Sequence, residues 1–384
     1  MTETPGATAV RARGRGGQGA SRQWLGRLVL TLASCVAAVL LAEAAVRRLA
    51  PQPVRVAWED ESGGLRVARP NVHGRHAVPG AFDVQVNING QRFRGSREYT
   101  ALPAAGVWRI AVLGDSMTFG WGAADDETYP AQLEALLRPP FEVINAGYPG
   151  TSLGEKAAWY DRGVRPFHPS VVILTLLGDD VDGDLFWRVF SRDAGGEAVF
   201  TSAAERGRGQ RVAGATRSLF QRLPGYALLA ERSQLFALVR KAATRAASRE
   251  RTTALGQAPA TAAEVARFRG EGLALMRAEL RWLRGRTRED GADLVVVLVP
   301  FRESVYGDPG WWADELRWKT AAVAEAASAE CAALPVPFRD LTPALATRAR
   351  ASPGPLYHAG AETHPTPAGY RAIAEEVAAL LVER

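Results

Sequence analysis

The sequence predicts an α/β fold, a doubly wound three-layer α/β/α sandwich around a parallel five-stranded sheet, preceded by one transmembrane helix. Three observations carry this prediction. From Val107 onward, short apolar runs alternate with longer helical segments, the order of successive β-α units. The runs are continuously apolar rather than alternating, as expected for strands covered on both faces. Several of them stop abruptly at small and polar residues, and in open α/β sheets ligands bind outside those strand ends.

The strands are expected at Trp108–Leu113, Glu142–Asn145, Ser170–Leu177, Leu294–Val299 and Val336–Arg339. Helices are expected over about Thr128–Leu137, Leu153–Tyr160, Ala262–Asp290, Trp311–Ala332 and Pro367–Val382. Between Asp182 and Thr261 the pattern breaks into Arg, Ala, Ser and Gly, with one apolar helical piece at Ser233–Val239. This insertion reads equally as a flexible cap or as surface padding.

Ahead of that body, residues 1–23 carry almost no large apolar side chains and are expected to be disordered. Residues 24–48 read as a signal-anchor helix. Within them Leu28–Val46 is a run of 19 residues interrupted only by Thr31, Ser34 and Glu43. As a helix it spans roughly 28 Å, enough for a bilayer core. Arg11, Arg13, Arg15, Arg22 and Arg27 precede it and Arg47, Arg48 and Arg55 follow, so the positive-inside bias places the N-terminus in the cytoplasm and the body outside. Cleavage at Ala42-Glu43-Ala44, or lipidation at Leu32-Ala33-Ser34-Cys35, would export the body equally. Residues 49–80 are expected to be a polar linker. Phe82, Val84, Val86 and Ile88 alternate as one half-buried strand closed by Asn89-Gly90, and residues 81–384 form the main domain.

Composition narrows the chemistry. The 384 residues carry a net charge of +6, but the arginines are scattered and form no basic stripe interleaved with aromatics, which argues against a nucleic-acid partner. With only two cysteines, Cys35 within the apolar helix and Cys331, the sequence argues against a disulfide framework and a cysteine-based metal site; no metal or organic cofactor is expected for the chemistry below. What stands out is a set of four blocks in one order. Gly114-Asp115-Ser116, Asn145 to Gly150 and Gly178-Asp179-Asp180 follow successive strands, and Glu362-Thr363-His364-Pro365 precedes the last helix. All four can reach one cleft at the same sheet edge.

These blocks resemble those of the GDSL/SGNH-type serine hydrolases, in particular their bacterial membrane-anchored branch. The matching phrases are VNINGQRFRG, RIAVLGDSMTFGWG, VINAGYPGTS, HPSVVILTLLGDDVDGD, LVVVLVPFRESVY and ETHPTPAGYRAIAEEV. The resemblance implies a flavodoxin-like SGNH hydrolase fold, Ser116 as nucleophile, His364 as general base, and the N–H groups of Ser116 and Gly150 as oxyanion donors. A serine hydroxyl is a poor nucleophile at neutral pH and needs such a base. Thr366-Pro367 supplies the cap of the last helix, which leaves His364 free for that role. His73, His76, His168 and His358 are expected to be surface groups.

Two positions depart from the family pattern. Where an aspartate usually precedes the histidine, Ala361 and Glu362 stand here, and Glu362 is the expected partner of the imidazole. Where an asparagine usually completes the oxyanion hole, this chain has Asp179. A carboxylate about 4 Å from an oxyanion costs on the order of 4 kcal/mol at an effective dielectric of 20. Asp179 therefore donates a retained proton, turns away, or marks a weakened relative. The resulting expectation is an exported, membrane-anchored esterase acting on small acyl esters or acylated glycans and lipids. An O-acetyltransferase acting on envelope polysaccharide, or a catalytically weakened binding protein, is the alternative.

Overall fold

The computed structural model describes residues 17–201, 225–248, 259–352, 354–360 and 362–383. The chain divides into two compact units, residues 1–52 and 53–384. In the first, the helix Gly17–Leu49 begins within the stretch expected to be disordered, because its Gln, Ala and Arg residues suit a helix that continues into the apolar run. The rest of that expectation, residues 1–16, lies outside the described residues. Trp24–Leu49 is long and apolar enough to cross a membrane, with a mean hydropathy of 2.2, and Val36, Leu40 and Leu41 are exposed.

The second unit opens with structure where the sequence suggested a linker. Strands β1 (Val54–Arg55), β2 (Glu59–Ser62), β3 (Leu65–Ala68) and β4 (Val72–Val78) occupy residues 54–78. Here the linker expectation is corrected, since Val54, Val56, Trp58, Leu65 and Val67 are all buried. Strand β5 (Phe82–Ile88) forms as expected, but in an antiparallel sheet of order β1-β4-β5. Val56, Trp58, Val72, Val86 and Ile88 pack with Phe119 and Tyr148. Those two residues follow β6 and β7, so this small sheet sits over the strand ends that carry the sequence blocks rather than beside the main sheet.

The main sheet comprises β6 (Trp108–Leu113), β7 (Phe141–Asn145), β8 (Val171–Leu176), β11 (Asp293–Leu298) and β12 (Phe338–Asp340). Its order is β12-β11-β8-β6-β7 and every pairing is parallel. Alternate residues of each strand feed separate cores, which is why the strands read as unbroken apolar runs. Ala111, Leu113, Val172, Leu174 and Val296 face the layer holding the helix Leu273–Glu289. Ile110, Val112, Ile173, Val295 and Val297 face the layer holding Tyr129–Leu137 and Pro367–Val382.

The helix expected over Ala262–Asp290 is Ala262–Arg267 and Leu273–Glu289 joined by a wider turn at Phe268–Gly272. A further helix, Thr342–Ala351, was not foreseen. The region 182–261 is neither simple cap nor simple padding. It begins inside the helix Asp180–Trp187 and continues as a hairpin of β9 (Phe190–Arg192) and β10 (Ala198–Phe200), whose Phe190 and Ala198 join the main core. Helices Tyr226–Arg232 and Gln234–Ser248 then place Ala230 against Ala57 and Ala237 against Val54 and Ala77. Residues 202–224 and 249–258 lie outside the described residues.

Candidate active site

Strand β6 ends at Leu113, and the chain turns sharply into the short helix Ser116–Phe119. The Asp115 carboxylate accepts the Met117 N–H at 2.9 Å, fixing that turn and presenting Ser116 partly exposed at the sheet edge. Gly120 then adopts φ +85° and donates its N–H to the Ser116 carbonyl at 3.1 Å. A side chain there would be strained and would strike Thr128, so the reversal that carries Trp121 back over the nucleophile turn requires glycine.

On the far side of the cleft, the segment before the last helix is tied to its neighbours. The His358 N–H donates to the His364 carbonyl at 2.9 Å, and Thr366 caps Pro367–Val382 with its hydroxyl on the Gly369 N–H. This loop sets His364 Nε2 2.9 Å from Ser116 Oγ. His364 Nδ1 meets Glu362 Oε1. With Nδ1 carrying the proton toward Glu362, Nε2 is the nitrogen left to accept from the serine hydroxyl. Glu362 also accepts the His364 backbone N–H at 3.2 Å and the Trp121 indole N–H at 3.1 Å. Burial pulls the Glu362 carboxyl upward, but the hydrogen bonds and charge of His364 and the indole N–H outweigh it and hold the group below the ordinary glutamate range.

The residues expected to form the oxyanion hole differ in kind. Gly150, at φ +74°, lies exposed in the loop after β7. Asp179 stands at the N-cap of Asp180–Trp187 with no side-chain capping hydrogen bond. Desolvation, with the nearby charge of Asp115, pushes its carboxyl up to about 6, against a lowering contribution from Lys156. Asp179 is nonetheless exposed, so water tempers this shift. Asp180 behaves as a structural residue, accepting the Leu177 N–H at 2.9 Å and pairing with buried Lys156 at 2.6 Å. A small cavity lined by Arg66, Gly114, Gly147, Tyr148 and Lys156 lies behind the nucleophile turn, and neither Ser116 nor His364 lines it.

Hydroxyl, imidazole and carboxylate in one hydrogen-bonded line can activate the serine and stabilise the imidazolium that forms when it is deprotonated. The GDSL-like lipase/acylhydrolase family matches residues 112–372, more than half of the chain. The chain belongs to this family. This GDSL/SGNH hydrolase is accordingly an ester-hydrolysing enzyme. No curated protein matches the sequence. Solved structures similar to it include TesA, at 13% identity over 71% of this chain and 97% of that one, with a TM-score of 0.39. LAE5, an alpha/beta hydrolase enzyme from the metagenome of Lake Arreo, Spain, is 14% identical over 71% and 94%, with a TM-score of 0.41. A catalytic mutant of Axe2, an acetylxylan esterase from Geobacillus stearothermophilus, is 13% identical over 73% and 96%, with a TM-score of 0.42.

In this GDSL-like hydrolase the structure brings Ser116, His364 and Glu362 together, while Gly150 and Asp179 stand on the loops after β7 and β8 at the same sheet edge. It also adds residues that the sequence did not single out. Trp121 stacks on His364, ring centroids 5.2 Å apart at 23°. Behind it, His76 packs edge-on against Trp121 and Trp58, with ring centroids 4.5 and 5.1 Å away. The expectation that His76 is a surface group is corrected: it is buried among aromatics, and desolvation with the charge of Arg55 depresses its pKa to about 3. His73 and His168 are exposed as expected, and His358 is half-buried. The one signal for Trp121 was its place between Gly120 and Gly122, where a large aromatic is conspicuous. Among the described residues, no three His, Cys, Asp or Glu side chains are grouped to hold a metal ion.

Proposed function

We propose that the protein is a membrane-anchored serine esterase that cleaves small O-acyl esters outside the cytoplasm. The observation that carries this reading is the unbroken line from Glu362 through His364 to Ser116 Oγ. In the first step Ser116 Oγ attacks the ester carbonyl carbon while its proton passes to His364 Nε2. The N–H groups of Ser116 and Gly150 receive the developing oxyanion, where one such donor is typically worth about 3 kcal/mol. Collapse of the tetrahedral species expels the alcohol, which takes the proton from His364 and leaves an acyl-Ser116 ester. A water molecule, deprotonated by the same imidazole, then attacks that ester and releases the carboxylic acid.

The apolar helix Trp24–Leu49, whose apolar run Leu28–Val46 has Arg11, Arg13, Arg15, Arg22 and Arg27 ahead of it against Arg47, Arg48 and Arg55 just after, supports an anchor with the body exported. That location makes O-acyl groups on envelope polysaccharides or lipids the accessible substrates. The test is turnover of p-nitrophenyl acetate by the detergent-solubilised full chain. Ser116→Ala is expected to lower kcat at least about 10³-fold, and equal turnover by both proteins would sink the proposal.

A further inference from the structure

We propose that Arg66, on β3 of the antiparallel hairpin β2-β3 and outside the family match, is a positioning residue that holds the two oxyanion-side segments in their working arrangement. The inference rests on the reading of Ser116 as the acylated nucleophile. In β3, Leu65 and Val67 are 1% and 2% exposed and belong to the main core, so strand alternation sends Arg66 to the opposite face. Its guanidinium engages Glu155 through both carboxylate oxygens, with Nε 2.7 Å from Oε1. The same Nη2 donates to the Gly150 carbonyl. Its Cζ lies over the Trp187 ring, 4.0 Å from the centroid.

Each contact has a separate consequence for the cleft. Gly150 holds φ +74°, and glycine leaves a peptide free to rotate between near-equivalent wells unless something fixes its carbonyl. Arg66 supplies that restraint, while the Thr151 hydroxyl, 2.8 Å from the Tyr148 carbonyl and 3.2 Å from that of Gly114, fixes the next residue. Together they fix the Gly150–Thr151 peptide, which anchors the loop on the C-terminal side of the Gly150 N–H. Glu155 also accepts the Ser152 N–H at 3.1 Å in the capping box of Leu153–Trp159, so Arg66 and the loop share one anchor. Trp187 ends the helix that Asp179 begins, which ties the second oxyanion segment to the same guanidinium.

The hairpin that delivers Arg66 is itself fixed. Arg162 donates to the Gly63 carbonyl at 2.6 Å, and Arg92 bridges Asp60 and the Ala68 carbonyl at 2.6 and 2.7 Å. Only an arginine fork can meet a carboxylate bidentately, reach a carbonyl and stack on an indole at once; a lysine ammonium cannot.

The experiment uses the detergent-solubilised full chain with p-nitrophenyl acetate as substrate and a fluorophosphonate as serine probe. Arg66→Ala is expected to lower kcat about 10- to 100-fold with KM within about twofold, and to slow fluorophosphonate labelling by a similar factor, since phosphonylation develops charge at the same place. Added methylguanidine restores part of the kcat of Arg66→Ala, and Arg66→Lys remains impaired. Should Arg66→Ala not fold, Arg66→Gln, which keeps an amide donor but loses charge and fork, carries the same readouts. A kcat within twofold of wild type, or a loss that follows the thermal midpoint and resists methylguanidine, overturns the proposal while Ser116→Ala stays inactive. If Ser116→Ala itself turns over substrate, the serine reading falls, and the role of Arg66 falls with it.

Discussion

On one side of Ser116 the imidazole of His364 is held by a carboxylate, and that carboxylate in turn by the Trp121 N–H at 3.1 Å, with the indole face stacked against the ring. On the other side the Asp179 carboxyl makes no capping hydrogen bond and answers mainly to desolvation and to the charge of Asp115. The base side is fixed by geometry. The oxyanion side is governed by charge, with the mainchain held in place from outside by Arg66. A site built this way responds to substitution in opposite senses on its two sides, since removing a partner from an ordered hydrogen-bond chain costs activity while removing an adverse charge restores it.

The largest expected effect breaks the ordered side. Glu362→Gln retains the size of the side chain but no longer dictates which imidazole nitrogen carries the proton, so Nε2 is no longer assured as the acceptor. A fall of about 10²- to 10⁴-fold in kcat/KM is expected, by analogy with serine triads that lose their acid. The measurement is p-nitrophenyl acetate turnover from pH 6 to 9, and a variant within twofold of wild type would show that Glu362 does not orient the base.

The opposite sign is expected across the cleft. Desolvation and the charge of Asp115 raise the Asp179 carboxyl, though its exposure tempers the shift, so the group goes from protonated to ionised as pH rises. The ionised form opposes an oxyanion, whereas the protonated form can donate to it. Asp179→Asn should therefore raise kcat/KM about tenfold or more at pH 8, with the gain shrinking as pH falls and the carboxyl takes up its proton. A loss at every pH would instead assign Asp179 a working role as an acid.

How much of this was legible follows the same division. The five parallel strands were readable because burial on both faces makes each a continuous apolar run, and the order of blocks at their ends drew Ser116, Gly150, Asp179 and His364 to one edge. The small sheet over that edge was not. Its strand β1 and the separate hairpin β2-β3 are two to four residues long, and Val54, Val56 and Trp58 are cut off from Leu65 and Val67 by the acidic run Glu59-Asp60-Glu61. The contributions of this N-terminal region to the site are also non-local. Arg66 meets Glu155 across 89 positions, and His76 is buried only because Trp58, Phe82 and Trp121 converge on it from three parts of the chain. A composition window sees a polar histidine and an arginine in a linker, and no periodicity within reach reveals their partners.

The smallest expected effect probes how far the ordered side depends on that aromatic cluster. Trp121→Phe keeps a ring to stack on His364 and loses only the N–H to Glu362. Hydrogen bonds to charged groups contribute about 1.5–3 kcal/mol when well shielded, but Trp121 is half-buried, so about 1 kcal/mol is a better guide, a loss of about fivefold in kcat with KM unchanged. The pH dependence gives the sharper reading. The indole donor is one of the contacts that keep the Glu362 carboxyl low. Without it that carboxyl rises toward its ordinary range, Glu362 protonates sooner as pH falls, and the acid-side decline of kcat moves to higher pH. A decline that stays in place while kcat drops would mean that the ring packing, and not the N–H, is what Trp121 contributes.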